Sequence, residues 1–140
     1  MKYLLDTNVI SELVGKKPDV RVSRWVDALD PNSVFLSALT IGELRKGIEK
    51  LPDSPRRTRL LAWLVDDLLM RFAGRVLPLD TEVLLTWGVL TGRLEVRGRP
   101  LPAIDSLLAA QAIQHACILV TRNESDFRDT GVQLISPWAS

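Results

Sequence analysis

The first ten residues, MKYLLDTNVI (residues 1–10), pass from a short apolar run directly into three polar side chains. The apolar residues 3–5 suit a strand that is buried on both faces, as the inner strands of parallel sheets are. Asp6, Thr7 and Asn8 follow where that strand is expected to end. Ligands of open parallel sheets bind beyond the carboxyl ends of the strands, so this junction is the first candidate for a functional site.

Short apolar runs alternate with segments of helical period along the rest of the chain. This order predicts an α/β fold of three layers, α/β/α, with a mainly parallel central sheet. The clearest helix begins near Ser54, which can cap it, and Pro55, which suits its first turn. The expected strands are residues 2–5, 34–36, 76–77, 118–120 and 133–135, and the expected helices are residues 54–71, 80–95 and 103–115.

Composition limits the classes of protein to consider. A chain of 140 residues with 46% apolar content predicts a single domain over residues 1–140. Its 18 Lys and Arg against 17 Asp and Glu leave a formal charge of +1, so a nucleic-acid partner must be held locally rather than by a general basic field. The lone Cys117 excludes an internal disulfide, and no stretch approaches the roughly 18 apolar residues of a membrane span. We expect a cytoplasmic protein that does not enter a membrane.

Three further acids lie after expected strands or at helix starts: Glu43, Asp105 and Asp126. Each has an ordinary structural explanation. Glu43 fits a capping box that begins at Thr40, Asp105 suits the first turn of a helix, and Asp126 suits a turn. The functional interpretation therefore depends on the convergence of these acids with Asp6 in one cleft.

Converging carboxylates repel each other, and a bound hard cation is the usual remedy. Ligands that are all oxygen favour Mg²⁺ or Mn²⁺ over zinc. The single His115 and single Cys117 do not suffice for a zinc site, and one histidine excludes a ribonuclease that uses two. Cys117 lies in an apolar run and is expected to be a buried strand residue rather than a nucleophile.

Four stretches, in order, carry a resemblance to a known family. They are LLDTNVISEL (residues 4–13), SALTIGELRKG (37–47), PAIDSLLAA (102–110) and TRNESDF (121–127). Together they resemble PIN-domain ribonucleases, and more narrowly the VapC-type toxins of toxin–antitoxin pairs, in the FitB-like branch. The likeness extends from Met1 to Trp138.

The resemblance implies a metal-dependent endoribonuclease. Asp6, Glu43 and Asp105 match the acids that hold Mg²⁺, or Mn²⁺, in the family. The family's fourth acid has two possible positions in this sequence. Some members carry an acid where this chain has Asn123, whereas the acid that this chain retains is Asp126. Thr7, Asn8, Thr121 and Asn123 are expected to line the same pocket, and Asp105 or Asp126 to accept a proton from the attacking water. The implied partners are a homodimer mate, RNA, and a small antitoxin with a DNA-binding N-terminal part.

Because an acidic cleft repels RNA, basic residues must surround it to bind the phosphate backbone. The candidates are Arg45, Lys46, Arg97, Arg99 and Arg122. Two other classes of function stay open at this point. One is a catalytically silent PIN-like binding module, which a lost acid would reveal. The other is a metal-dependent DNA nuclease or phosphatase, since metal-bound carboxylates do not read the sugar.

Overall fold

Five parallel strands form the central sheet of the computed structural model, which describes residues 1–139. The strands are β1 (Lys2–Leu5), β2 (Val34–Ser37), β3 (Val76–Leu77), β4 (Cys117–Val120) and β5 (Leu134–Ile135). Their order across the sheet is β3-β2-β1-β4-β5, and each neighbouring pair is parallel. The predicted parallel α/β architecture is confirmed, with every strand within one residue of its expected bounds.

Helices cover both faces of this sheet. They are α1 (Thr7–Val14), α2 (Val20–Asp27), α3 (Ala38–Glu49), α4 (Pro55–Ala62), α5 (Leu69–Arg71), α6 (Thr81–Val96), α7 (Ala103–Gln114) and α8 (Glu124–Phe127). A π-helical stretch, Trp63–Leu68, joins α4 to α5, so the helix expected over residues 54–71 is present but is underwound, with wider turns, in its middle. Ser54 caps it as predicted, because its hydroxyl accepts a hydrogen bond from the Arg57 amide at 3.2 Å.

The inner strands are buried on both faces, which explains why their sequences are apolar without alternation. In β1, Leu5 belongs to the hydrophobic cluster under α1 to α4 and the π-helical stretch, while Leu4 belongs to the cluster under α6 and α7. Val120 and Leu119 of β4 divide in the same way. Each of these four side chains is at most 1% exposed, so the central strand pair holds the two cores together.

The connections create a crevice beside β1. From β1 the chain crosses to β2 on one side, whereas it later enters β4 on the other side and continues to β5. The carboxyl ends of β1 and β4 therefore lie at a topological switch point, where helices leave in opposite directions and a ligand can enter. Leu5 stands opposite Val120 in the register, so Asp6 and Thr121 are neighbours just beyond the sheet.

The start of α3 differs from the capping-box interpretation. Ser37 is the N-cap, with its side chain accepting from the Leu39 amide at 3.0 Å. Thr40 lies inside the first turn, and Glu43 lies one turn further along, so Glu43 does not cap this helix. The capping-box reading is wrong because the chain turns directly from β2 into the helix, three residues earlier than that pattern requires.

Within residues 1–139, no helix has both the length and the apolar character that crossing a membrane requires.

Candidate active site

Asp6 is held rigidly at the floor of the crevice. It caps α1, and its Oδ1 accepts a hydrogen bond from the Thr7 amide at 2.7 Å. Its Oδ2 accepts from the Thr121 hydroxyl at 2.8 Å and from the Asn8 amide group at 3.3 Å. The residue is only 8% exposed. A carboxylate this buried needs such donors, since desolvation without them costs several kcal/mol.

Glu43 reaches the same place from α3. The Thr7 hydroxyl donates to Glu43 Oε1 at 2.6 Å and lies 3.1 Å from the Thr40 hydroxyl. Thr7 thus links the first turn of α1 to the carboxylate of α3. The polar residues after β1 therefore orient acids both on their own helix and on a helix more than 30 positions away.

Asp105, in the first turn of α7, is the third acid of this site. Partial burial raises the pKa of its carboxyl, and the negative charges of Asp6, Asp126 and Glu43 raise it further. Burial likewise raises the pKa of Asp6, with only part of the effect offset by the hydrogen bonds from Thr121 and the Thr7 amide. The acids belong to four separate elements of the chain and yet lie near enough to interact electrostatically.

One open cavity of about 600 Å³ is lined by both acidic and basic residues. Three of the acids predicted from the sequence, Asp6, Glu43 and Asp105, line it. The other residues around it are Thr7, Asn8, Ser11, Glu12, Gly15, Lys16, Lys17, Arg122 and Asn123. Lys16 and Lys17 were not predicted from the sequence. The signal that could have indicated them is a Lys-Lys pair directly after Gly15, which ends α1.

The remaining predicted pocket residues surround the floor. Thr121 lies beneath it, fully buried, and donates to Asp6. The Asn123 amide donates to the Thr121 hydroxyl at 3.1 Å. Asp126 is exposed on α8 and does not line the cavity, but its charge acts on Asp105. The structure therefore places Asn123 inside the pocket and Asp126 at its edge.

The five basic candidates divide into different surroundings. Arg122 lines the cavity itself. Lys46 lines a neighbouring groove that shares Glu43 with it. Arg45 is engaged in an ion pair with Glu49 at 2.9 Å, and Arg99 lies 3.4 Å from Asp129. Arg97 is exposed at the end of α6.

The chemistry of the donor set fits a divalent hard cation, because the carboxylates of Asp6, Glu43 and Asp105 line one cavity and none of them forms an ion pair with a Lys or Arg of residues 1–139. Within residues 1–139, however, no three His, Cys, Asp or Glu side chains are already in place to hold an ion. Asp6 and Glu43 are instead turned toward the hydroxyls of Thr121 and Thr7. These hydrogen bonds orient the two carboxylates at the mouth of the cavity.

His115 and Cys117 lie away from this crevice. Cys117 begins β4, at the amino end of the strand, whereas the acids gather beyond its carboxyl end. The thiol is buried, which raises its pKa, and it contacts the backbone oxygen of His115 rather than the ring. The expectation that Cys117 is a buried strand residue is confirmed, and neither side chain serves the site.

The raised pKa of Asp6 predicts how stability changes with pH in metal-free protein. A carboxyl whose pKa is higher in the folded state binds more protons there, so the free energy of unfolding falls as pH rises from the ordinary value of 3.8 through the raised one. Asp6→Asn removes this cost and keeps an N-cap residue. In chelator at pH 7 we expect the variant to melt above the wild type, with the difference closing as pH falls toward 3.8.

Thermal melts followed by circular dichroism from pH 4 to 8 measure this difference. Asp67→Asn, an exposed acid on the π-helical stretch, serves as the control and should follow the wild-type curve. An Asp6→Asn variant that melts below the wild type at pH 7 contradicts the prediction.

Known proteins resemble this chain in both sequence and structure. The chain matches the PIN domain over residues 3–133. It is 38% identical over 135 residues to "VapC ribonuclease Y4jK" of Sinorhizobium fredii, covering 96% of each chain. It is 37% identical over 135 residues to "Toxin FitB" of Neisseria gonorrhoeae, covering 96% of this chain and 97% of the relative. The crystal structure of FitAcB from Neisseria gonorrhoeae superimposes with a TM-score of 0.94 at 36% identity, over 99% of both chains.

Proposed function

Because the chain belongs to the PIN-domain family, we propose that it is the ribonuclease toxin of a toxin–antitoxin pair and that it cuts RNA with the help of a divalent metal. One observation carries the chemical part of this proposal. Asp6, Glu43 and Asp105 arrive from three separate elements and line one cavity at the switch point of the sheet. Grouping these acids does not stabilise the fold, since burial, and after it the neighbouring negative charges, raise the pKa values of Asp6 and Asp105.

Asp6, Glu43 and Asp105 would hold Mg²⁺ or Mn²⁺, with Asn123 or Asp126 beside them. A bound ion of this type supplies a more acidic water, orients the phosphate and offsets the charge that develops on it. The cation would also favour the ionised carboxylates, whose pKa values are raised by burial and, to a smaller extent, by the neighbouring negative charges.

The protein's own side chains position the reaction. The Thr7 amide and the Thr121 hydroxyl each hold one oxygen of Asp6, and the Thr7 hydroxyl holds Glu43. Asp105 receives no hydrogen bond that would lower its pKa, and three neighbouring charges raise it. It is therefore the better placed of the two candidate bases to accept a proton from water, and Asp126 is the alternative from the edge of the site.

The alternative of a silent binding module would require a lost acid, and all four are present in the chain. The alternative of a DNA nuclease or phosphatase uses the same ion chemistry, so only substrates separate it from a ribonuclease. A ribonuclease is favoured because a relative with 38% identity over nearly the whole chain is named for that activity.

A defined single-stranded RNA and the DNA of the same sequence, each incubated with the purified chain, test the function. We expect cleavage of the RNA in Mg²⁺ or Mn²⁺, none in chelator, and little or no cleavage of the DNA. His115→Ala is the control and should cleave as the wild type does, since His115 lies at the other end of β4. Equal cleavage of the DNA would replace the ribonuclease by a general nuclease, and inertness toward both would leave a binding module.

The solved structures that resemble this chain are toxin–antitoxin complexes of the FitAB and VapBC kinds, and we assign this chain an antitoxin of the same type. An Arg of that partner would suit Asp6, Glu43 and Asp105, because a guanidinium pairs with carboxylates through two hydrogen bonds and would take the place of the metal. Inhibition would then weaken as Mg²⁺ is raised, which a titration of the purified complex measures. We also propose that the protein lies in the cytoplasm, because the proposed substrate is cellular RNA; cell fractionation tests this.

The homodimer is likewise a proposal. Its support is exposed apolar surface: Val65 and Met70 on residues 54–71 are 51% and 72% exposed, and Leu85 and Val89 on α6 are 69% and 53% exposed. Single-domain proteins seldom leave such residues in groups without a partner. Light scattering that gives the mass of one 15.6 kDa chain would contradict it.

A further inference from the structure

Three basic residues, together called the basic wall, line the same cavity of about 600 Å³ as the three acids. Lys16 and Lys17 form it from the loop between α1 and α2, and Arg122 forms it from the loop between β4 and α8. The charge of Arg122 lowers the pKa of Asp19, at the end of the first loop, after the larger effects of Arg21 and of burial. The two loops therefore contribute to one cavity, although they lie far apart in sequence.

Arg122 is held in place without a carboxylate. Its guanidinium carbon lies 5.4 Å from the centre of the Trp138 ring, a cation–π arrangement, and its backbone amide donates to Asn8 Oδ1 at 3.3 Å. Trp138 in turn packs against the core. No acid of residues 1–139 pairs with Arg122 within 4.0 Å, so its hydrogen-bond donors stay free for a ligand.

The loop that carries Lys16 and Lys17 is fixed at both ends. The Gly15 amide donates to the Glu12 backbone oxygen at 3.2 Å, and the Asp19 amide donates to the Glu12 carboxylate at 3.0 Å. Asp19 itself is paired with Arg21 at 2.8 Å and caps α2. The acids near the loop are therefore engaged elsewhere, and the two lysines have no ion pair within the described chain.

We propose that Lys16, Lys17 and Arg122 bind the phosphodiester backbone of the RNA beside the bond that is cut, while Asp6, Glu43 and Asp105 face that bond. This inference rests on the proposed function. An RNA strand needs such a wall, since carboxylates repel it. The wall offers what phosphates prefer: a planar guanidinium with several donors and two freely rotating ammonium groups. Arg45 and Arg99, by contrast, are already near carboxylates.

Two triple variants with the same charge change test the wall. In the first, Lys16, Lys17 and Arg122 become Gln. In the second, the control, Gln replaces Arg56, Arg59 and Arg93, which are exposed or partly exposed residues of α4 and α6 outside the cavity. Each variant changes the formal charge from +1 by three units to −2. Any difference between them therefore reports position rather than net charge.

The measurement is the binding of a fluorescent single-stranded RNA as a function of salt, together with the KM and kcat of its cleavage. We expect the first variant to bind on the order of 10-fold to 100-fold more weakly. Its slope of log affinity against log salt should fall by about 2, since each phosphate contact on a single strand contributes about 0.7. KM should rise while kcat changes little. Arg122→Lys, which keeps the charge without the planar guanidinium, should be intermediate.

Equal binding by the two triple variants would overturn the wall, as would a wild type that binds no RNA. If the first variant binds RNA normally but loses an acidic protein partner, the wall serves protein recognition and the RNA proposal fails. If RNA binding depends on the wall while no variant, nor the wild type, cleaves RNA, the wall stands and the ribonuclease proposal fails. Melting temperatures within a few degrees of the wild type show that each variant is folded.

Discussion

Replacing Asp6 by Asn should lower the rate of RNA cleavage by on the order of a thousandfold or more. Charge stabilisation by a bound metal is worth several kcal/mol, and each 1.4 kcal/mol or so corresponds to a factor of ten in rate. Asp6 is the most deeply buried of the acids that line the cavity, and its two oxygens are oriented by Thr7 and Thr121. Asn preserves the shape and the helix cap but removes the negative charge.

Single-turnover cleavage of an end-labelled RNA in excess Mg²⁺ measures the loss. Asp105→Asn should show a comparable loss, since its carboxylate faces the same cavity. Asp67→Asn removes an exposed acid elsewhere and should keep wild-type activity. Cleavage above about a tenth of the wild-type rate in Asp6→Asn, after contaminating nuclease has been removed, would mean that Asp6 does not hold the metal.

Adding Mg²⁺ or Mn²⁺ should raise the melting temperature of the metal-free wild type by roughly 9 °C at a concentration 100 times Kd. Binding to the folded state alone contributes about 2.7 kcal/mol at that concentration. An unfolding entropy of about 2.1 cal/mol/K per residue, over 140 residues, converts this energy into the temperature shift. Burial, and after it the neighbouring negative charges, raise the pKa values of Asp6 and Asp105, and a bound cation would offset both effects.

Scanning fluorimetry across a metal titration measures the shift, and it requires no substrate. Asp6→Asn and Asp105→Asn should lose most of it, while Asp67→Asn should keep it. Reversal by chelator shows that the effect is binding. A shift of the same size in Asp6→Asn would place the ion somewhere other than this cavity.

The strands and the parallel sheet could be predicted because burial on both faces leaves a local mark. Leu4, Leu5, Leu119 and Val120 contact two different cores, so their strands cannot alternate apolar with polar residues. Asp6 then stood out as a charge at the end of such a run. The helix over residues 54–71 could be predicted for a similar reason, because its leucines recur at the spacing of a helical turn.

Other features depend on contacts that no local pattern contains. The π-helical turns at Trp63–Leu68 and the capping of α3 by Ser37 rather than Thr40 were not predicted. Both arise where an element must fit against the rest of the fold, and such tertiary constraints override local preference. Lys16 and Lys17 were overlooked for a related reason. A pair of lysines has the sequence of an ordinary exposed loop, and only the tertiary structure shows that they share a cavity with the acids.

The sequence by itself determined the fold class, the ends of the inner strands and the presence of four acids with no competing histidine or cysteine chemistry. Only the tertiary structure decided which of those residues meet. The order β3-β2-β1-β4-β5 brings Asp6 beside Thr121, and the tertiary structure adds Glu43, Asp105 and Arg122 to the same cavity while Asp126 stays outside its lining. The physical reason is that side-chain periodicity records burial within one element, whereas a site at a switch point is created by the relative placement of strands far apart in sequence.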